Sequence, residues 1–138
     1  MAALITALRL WIGMIATIAF VNSTQCYLQG EFVHQRMYTE TKEATLLQAR
    51  TFGTWTLLAS VIRIYCAFDI YNKTLYMVTF WSFIIVLAHL LAECYIYHTA
   101  AFTPGVIAPL IISSLSSVWM ILAYPSITNG SESKAKSN

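Results

Sequence analysis

His89 and Glu93 stand four residues apart in an otherwise apolar run, a spacing that sets both side chains on one face of a helix. An imidazole facing a carboxylate inside a hydrophobic segment could relay a proton or supply two metal ligands. An ionisable pair in such a place is a functional hypothesis by default. Ser82 and Val86 continue the same face. Arg50, in an earlier apolar run, is the cation placed to meet Glu93, so Arg50, His89 and Glu93 form the intramembrane polar cluster that the sequence offers. Other chemistry is hard to assemble. The three histidines, His34, His89 and His98, include no two at the HxxxH or HxxHH spacing of a di-iron centre. No GxGxxG, GxSxG or nucleophile with a nearby base occurs. We therefore expect no catalytic residue, no cofactor-binding residue and no metal set. The three cysteines, Cys26, Cys66 and Cys94, lack a CxxC and read as apolar fillers. Cys66, beside a span boundary, has acylation as an alternative.

The elements that must hold this cluster are membrane helices. Hydrophobic residues make up 58% of the 138 residues and charged ones 10%, against about 25% charged in an ordinary globular domain. So few charges could not clothe a surface in water, and the chain's solvent is largely lipid. Four apolar stretches, at about 4–27, 44–68, 74–97 and 104–124, each reach the roughly 20 residues a spanning helix needs. The expected fold is all-α, a four-helix membrane bundle over 1–125, with a short polar tail over 126–138 that reads as disordered. The first stretch is a span rather than a cleaved leader, because its apolar run outlasts an h-region and no small-x-small site follows. The second is the least apolar: Arg50 lies inside one end, and Arg63 is near enough to the other to snorkel. Glu31 to Glu43 is the most polar loop, Asn72 suits the tight turn before the third span, and Thr103-Pro104-Gly105 breaks the chain before the fourth.

With four spans, the N-terminus, the second loop and the tail share a side carrying Arg9, Arg63, Lys73, Lys134 and Lys136. The other side carries Arg36, Lys42 and Arg50, so the positive-inside rule puts both termini in the cytosol. Lys134 and Lys136 also fit a KxKxx retrieval signal, read from the cytosol, that returns membrane proteins to the endoplasmic reticulum. The sequons at Asn22, Asn72 and Asn129 are all expected to be silent in this topology. Arg50 and Glu93 then fall at matching depth, with Gly53 and Thr54 allowing close helix approach, so an Arg50–Glu93 ion pair serving as helix glue competes with any chemical role. Ser113, Ser114, Ser116 and Ser117 suit close packing of the fourth helix, and Tyr27, Tyr65, Tyr71, Tyr76, Tyr95, Tyr97 and Tyr124 suit an interfacial belt. A net charge of +2, with no basic stripe, excludes nucleic acid as a partner.

The run Leu47-Gln-Ala-Arg-Thr-Phe-Gly-Thr-Trp-Thr-Leu57 with Ser60-Val-Ile-Arg63, then Asp69-Ile-Tyr-Asn-Lys-Thr-Leu-Tyr76, Trp81, Phe83, His89 and Glu93, resembles the ergosterol biosynthetic protein 28 family. Thr103, Gly105-Val106 and Ala108-Pro109 complete the likeness, which covers about residues 4–125. The resemblance implies a non-catalytic scaffold of the endoplasmic reticulum membrane. Its partners would be the sterol C-4 demethylation enzymes: a C-4 methyl oxidase, an NAD-dependent decarboxylating dehydrogenase and a 3-ketosteroid reductase. It carries over no cofactor and no ligand residue. Membrane lipid is the remaining partner, and self-association stays open. Two other functions compete: a small transporter with Arg50, His89 and Glu93 along its pathway, and a sterol-binding protein with a groove among aromatic faces.

Overall fold

The computed structural model describes residues 1–42 and 45–137, with Phe32, His34 and Lys134 described by their backbone alone. The expected start of the second span at Ala44 and the end of the tail at Asn138 lie outside the described residues. Five helices follow in order: α1 (Ala2–Leu28), α2 (Glu31–Arg36), α3 (Leu46–Phe68), α4 (Lys73–Tyr95) and α5 (Pro104–Lys136). α1, α3, α4 and α5 are each long and apolar enough to cross a membrane. At about 1.5 Å per residue the shortest of them still exceeds the roughly 30 Å hydrocarbon core. No more than a third of any span is buried inside the bundle, and Leu10, Val21, Leu58, Trp81, Ile111 and Leu122 point outward. That outer surface is what lipid covers. The protein is an all-α integral membrane bundle of four spans.

Local chemistry sets the helix starts. The Thr45 hydroxyl accepts from the Gln48 amide at 3.2 Å and caps α3. Asn72 does the same for α4, accepting from Leu75 at 3.1 Å, so the turn former is also the N-cap. Pro104 occupies the first turn of α5, where its missing N–H costs nothing. α4 ends through His98, whose φ of 52° turns the chain and lets the Thr99 amide return to the Glu93 carbonyl at 3.0 Å.

α1 packs chiefly on α3, and α4 on α5, so the bundle is two helical pairs set face to face. Small residues bring the first pair together. Ser23 donates to the Gly53 carbonyl and Ser60 to the Ala16 carbonyl, both at 2.7 Å. Tyr76 donates to the Met120 carbonyl at 2.8 Å within the second pair, and Trp11 donates to Ser116 Oγ at 3.0 Å between α1 and α5. Each gives a partner to a side-chain donor otherwise stranded in hydrocarbon. One core cluster, including Leu8, Ile12, Tyr76, Phe83 and Met120, fills the end that holds both termini. A second, including Cys26, Val33, Tyr38, Leu90 and Val106, fills the end that holds α2.

Several expectations change. Residues 126–136 are not disordered: α5 runs through Pro125 to Lys136. Ile127 is fully buried in the first cluster, Gly130 sits on the Tyr71 ring, and Lys73 meets Glu132 at 3.5 Å. A docked apolar anchor outweighs the polar composition. Arg63 does not snorkel but is buried, 5% exposed, which leaves four cations against three in the orientation count. Tyr76 is core rather than belt, 1% exposed, because its hydroxyl is satisfied on α5. The cysteines are all buried, which closes Cys66 to acylation. Ser113, Ser116 and Ser117 are buried as packing residues, while Ser114 faces outward.

Candidate functional site

The polar loop before α3 is not all polar in effect. Val33 and Met37, four apart, are both buried, and they fold α2 back across the end of the bundle. That seats Tyr38 inside, 4% exposed. Its hydroxyl lies 2.6 Å from His89 Nε2. On the other side of the ring, His89 Nδ1 is 3.9 Å from Glu93 Oε1, and the Thr99 hydroxyl donates to Glu93 Oε2. A carboxylate beside Nδ1 favours the tautomer with the proton there, leaving Nε2 to accept from Tyr38. Burial, with the nearby Glu93 charge adding to it, pushes the Tyr38 hydroxyl above its ordinary pKa, so it stays a donor through the neutral range. Phe52 stands edge-on to Tyr38, and Trp55 edge-on to His89. The outcome is a chain, Tyr38–His89–Glu93–Thr99, joining the loop before α3 to the turn after α4.

His89 and Glu93 come together as their spacing requires. Arg50 does not join them. It is exposed on α3, and no ion pair links it to Glu93 among the described residues. The reason is angular. Ala49 and Gly53 form the buried stripe that faces α1, and Arg50 is turned about 100° from Ala49. Gly53 does permit close approach, but to Ser23, Cys26 and Tyr27 of α1 rather than to α4. Glu93 finds His89 and Thr99 instead.

The cation that enters the bundle is Arg63. Its Nε donates to Ser82 Oγ at 3.2 Å and Nη2 to the Ser82 carbonyl at 3.4 Å, and its guanidinium lies over the Phe83 ring, 4.1 Å from the centroid. Among the described residues no carboxylate pairs with it. An uncompensated charge in such surroundings is costly, and the cation–π contact and two hydrogen bonds offset part of that. Arg63 and Tyr38 are the residues that spacing missed. The buried stripe Ala49, Gly53, Ser60, Arg63 was the available signal for Arg63. Tyr38 had only an indirect one, the apolar pair Val33 and Met37 at helical spacing just before it.

A cavity of about 320 Å³ lies between the two helical pairs, lined by Ile15, Phe52, Ala59, Arg63, Leu90 and Ile112 among others. α1 and α5 touch at Trp11, Ser116 and Trp119; of the lining residues, Ile18, Asn22, Arg36, Pro104 and Ala108 are exposed and mark its open side. Lys134 and Lys136 fall in the last turn of α5, away from both features. No group of three His, Cys, Asp or Glu gathers as a metal site would require among the described residues.

The Tyr38–His89–Glu93–Thr99 chain ties two loops to α4, and replacing Glu93 by glutamine tests that role. The carboxylate's hydrogen bond to Thr99 weakens and the attraction to His89 disappears, at a cost of about 1–2 kcal/mol. We expect earlier exposure of the buried Cys26 and Cys94 thiols on heating, with activity in cells retained at low temperature. Full loss of activity with an unchanged melting profile would give the pair a chemical role instead.

The family model described as "Erg28 like protein" matches residues 8–118. The Homo sapiens "Ergosterol biosynthetic protein 28 homolog" is 46% identical over 123 residues, 88% of each chain. The Candida albicans "Ergosterol biosynthetic protein 28" is 39% identical over 113 residues, 81% of each chain, and the Arabidopsis thaliana protein of that name is 31% identical over 125 residues, 88% of this chain and 92% of the relative. None of these names states an enzymatic activity. No solved structure matches. The family match runs from within α1 into α5 and takes in α3, α4, the buried Arg63 and the His89–Glu93 pair, and the chain belongs to the Erg28-like protein family.

Proposed function

We propose that the chain is a non-catalytic scaffold of the endoplasmic reticulum membrane, acting in sterol biosynthesis by tethering the C-4 methyl oxidase, the decarboxylating sterol dehydrogenase and the 3-ketosteroid reductase. Family membership over residues 8–118 carries the reading, with relatives named for ergosterol biosynthesis. The architecture is suited to it. The polar chain from Tyr38 to Thr99 is spent on holding loops together, and most of every span faces outward, free for lipid or for partner helices. Holding consecutive enzymes together makes transfer of a poorly soluble sterol nearly intramolecular. The test is affinity purification of the full chain in mild detergent. The three enzymes are expected to co-purify, and recovery of the chain without any of them overturns the reading.

Both termini face the cytosol in this proposal, which lets Lys134 and Lys136 act as a retrieval signal. Changing both to serine is expected to move a measurable fraction of the chain beyond the endoplasmic reticulum, scored by imaging a tagged chain. The fold should persist, because Lys136 is exposed in the last turn of α5 and the anchor, Ile127, is untouched. Unchanged residence would assign retention to partners or to span length.

A further inference from the structure

The cavity between the helical pairs has mostly apolar walls, with Asn22, Thr56, Ser113 and the exposed Arg36 also on its lining, and one buried charge that apolar walls do not explain. Arg63 is 5% exposed and lines it. Two of its nitrogens are satisfied, both on Ser82. Nη1 has no partner among the described residues, and no carboxylate neutralises the charge. A cation inside a membrane bundle normally pairs with an anion or faces water. Here the space beside it is a cavity of about 320 Å³, at the small end of ligand pockets.

We propose that this cavity binds a lipid-like molecule with an apolar body and a single carboxylate, the carboxylate resting on Arg63. Depth and shape agree. The lining follows α5 from Pro104 to Ser113, a rise of about 14 Å, so the site is a slot along the helices rather than a surface dimple. Its open side is marked by the exposed lining residues Ile18 and Asn22 of α1, Arg36 of α2, and Pro104 and Ala108 of α5. A ligand entering there brings its charged end to the guanidinium and leaves the rest of its body toward lipid. The guanidinium fork suits a carboxylate, which accepts from two N–H groups at once. An uncharged lipid of the same shape would fill the walls and leave Arg63 uncompensated. Two sources share this chemistry, a sterol bearing a ring carboxylate and a fatty acid. The sterol source rests on the function proposed above, in which an oxidase makes a carboxylate that a decarboxylating dehydrogenase consumes.

The experiment is equilibrium binding to the full chain in detergent, with three radiolabelled probes: a C-4-carboxylated sterol, its C-4-methyl counterpart and oleate. The carboxylated sterol is expected to bind at least tenfold more tightly than the methyl sterol. Arg63→Gln should abolish that difference, and Arg63→Lys should restore part of it. Ala108→Phe, which narrows the open side and leaves Arg63 in place, should weaken the carboxylated sterol about tenfold and guards against a folding defect in the arginine variants. Equal binding of acid and methyl sterols, or an acid preference that survives Arg63→Gln in folded protein, overturns the site while leaving the scaffold reading intact. Oleate binding that depends on Arg63, with no binding of the sterol acid, supports the carboxylate site and overturns its sterol occupant.

Discussion

Cells lacking this chain are expected to accumulate C-4-methylated and C-4-carboxylated sterols, on the order of tenfold, while still making later sterols. The scaffold reading sets the direction and the size. Each enzyme keeps its own active site, so no step is erased. What falls is the local concentration of each enzyme near the product of the one before it, and tethering changes such encounters by about 10²–10⁴ in favourable geometries. Enzymes already confined to one membrane retain part of that advantage, so the expected change is smaller. Sterol profiling of cells with and without the chain, with enzyme levels measured alongside, decides it. Later sterols wholly absent at normal enzyme levels would mean that the chain performs a step itself. An unchanged profile would remove the scaffold reading and leave the family and the fold standing.

The parts legible in the sequence were those governed by one element at a time. Four spans could be counted because each must reach across the same apolar thickness, and the helices α1, α3, α4 and α5 carry them. The His89–Glu93 contact followed from a four-residue spacing within α4. What was not legible depended on how helices rotate against one another. Arg50 and Arg63 look interchangeable as cations near the ends of one span, yet Arg63 lies on the stripe with Ser60 and Gly53 and goes inside, while Arg50, next to Ala49 but off the stripe, stays out. Tyr38 entered the site through the fold of its loop, set by Val33 and Met37 packing under the bundle. The polar segment after Pro125 became helix because one residue, Ile127, found a place in the core. In each case a tertiary contact overrode composition.

Replacing Gly105 by alanine is expected to destabilise the fold by about 1–3 kcal/mol, the usual cost of forcing extra volume into a packed contact. Gly105 is the second residue of α5, and the chain of Arg36 lies directly on it. A Cβ there would stand 2.3 Å from the Arg36 carbonyl oxygen and 3.0 Å from its carbon. Backbone cannot swing aside as a side-chain tip can, so the end of α2 must lift. Lifting it strains the 2.7 Å hydrogen bond from the Thr103 hydroxyl to that same carbonyl, and pulls on Met37 and Tyr38, which follow Arg36 directly. The Tyr38–His89 contact is then the next to loosen. Alanine's better helix propensity returns roughly 0.5–1 kcal/mol at most, too little to reverse the sign. Gly13 provides the control. A Cβ there meets Ala67 Cβ at 3.6 Å, an ordinary contact, so Gly13→Ala should be neutral or slightly stabilising. Heating both variants in detergent with a thiol-reactive fluorophore reads the result through Cys26 and Cys94, buried at the α2 end of the core. Gly105→Ala should expose them at a distinctly lower temperature than the parent and Gly13→Ala should not. If the two variants melt together, α2 is not seated on α5, and the position of Tyr38 over His89 must be held by something other than that contact.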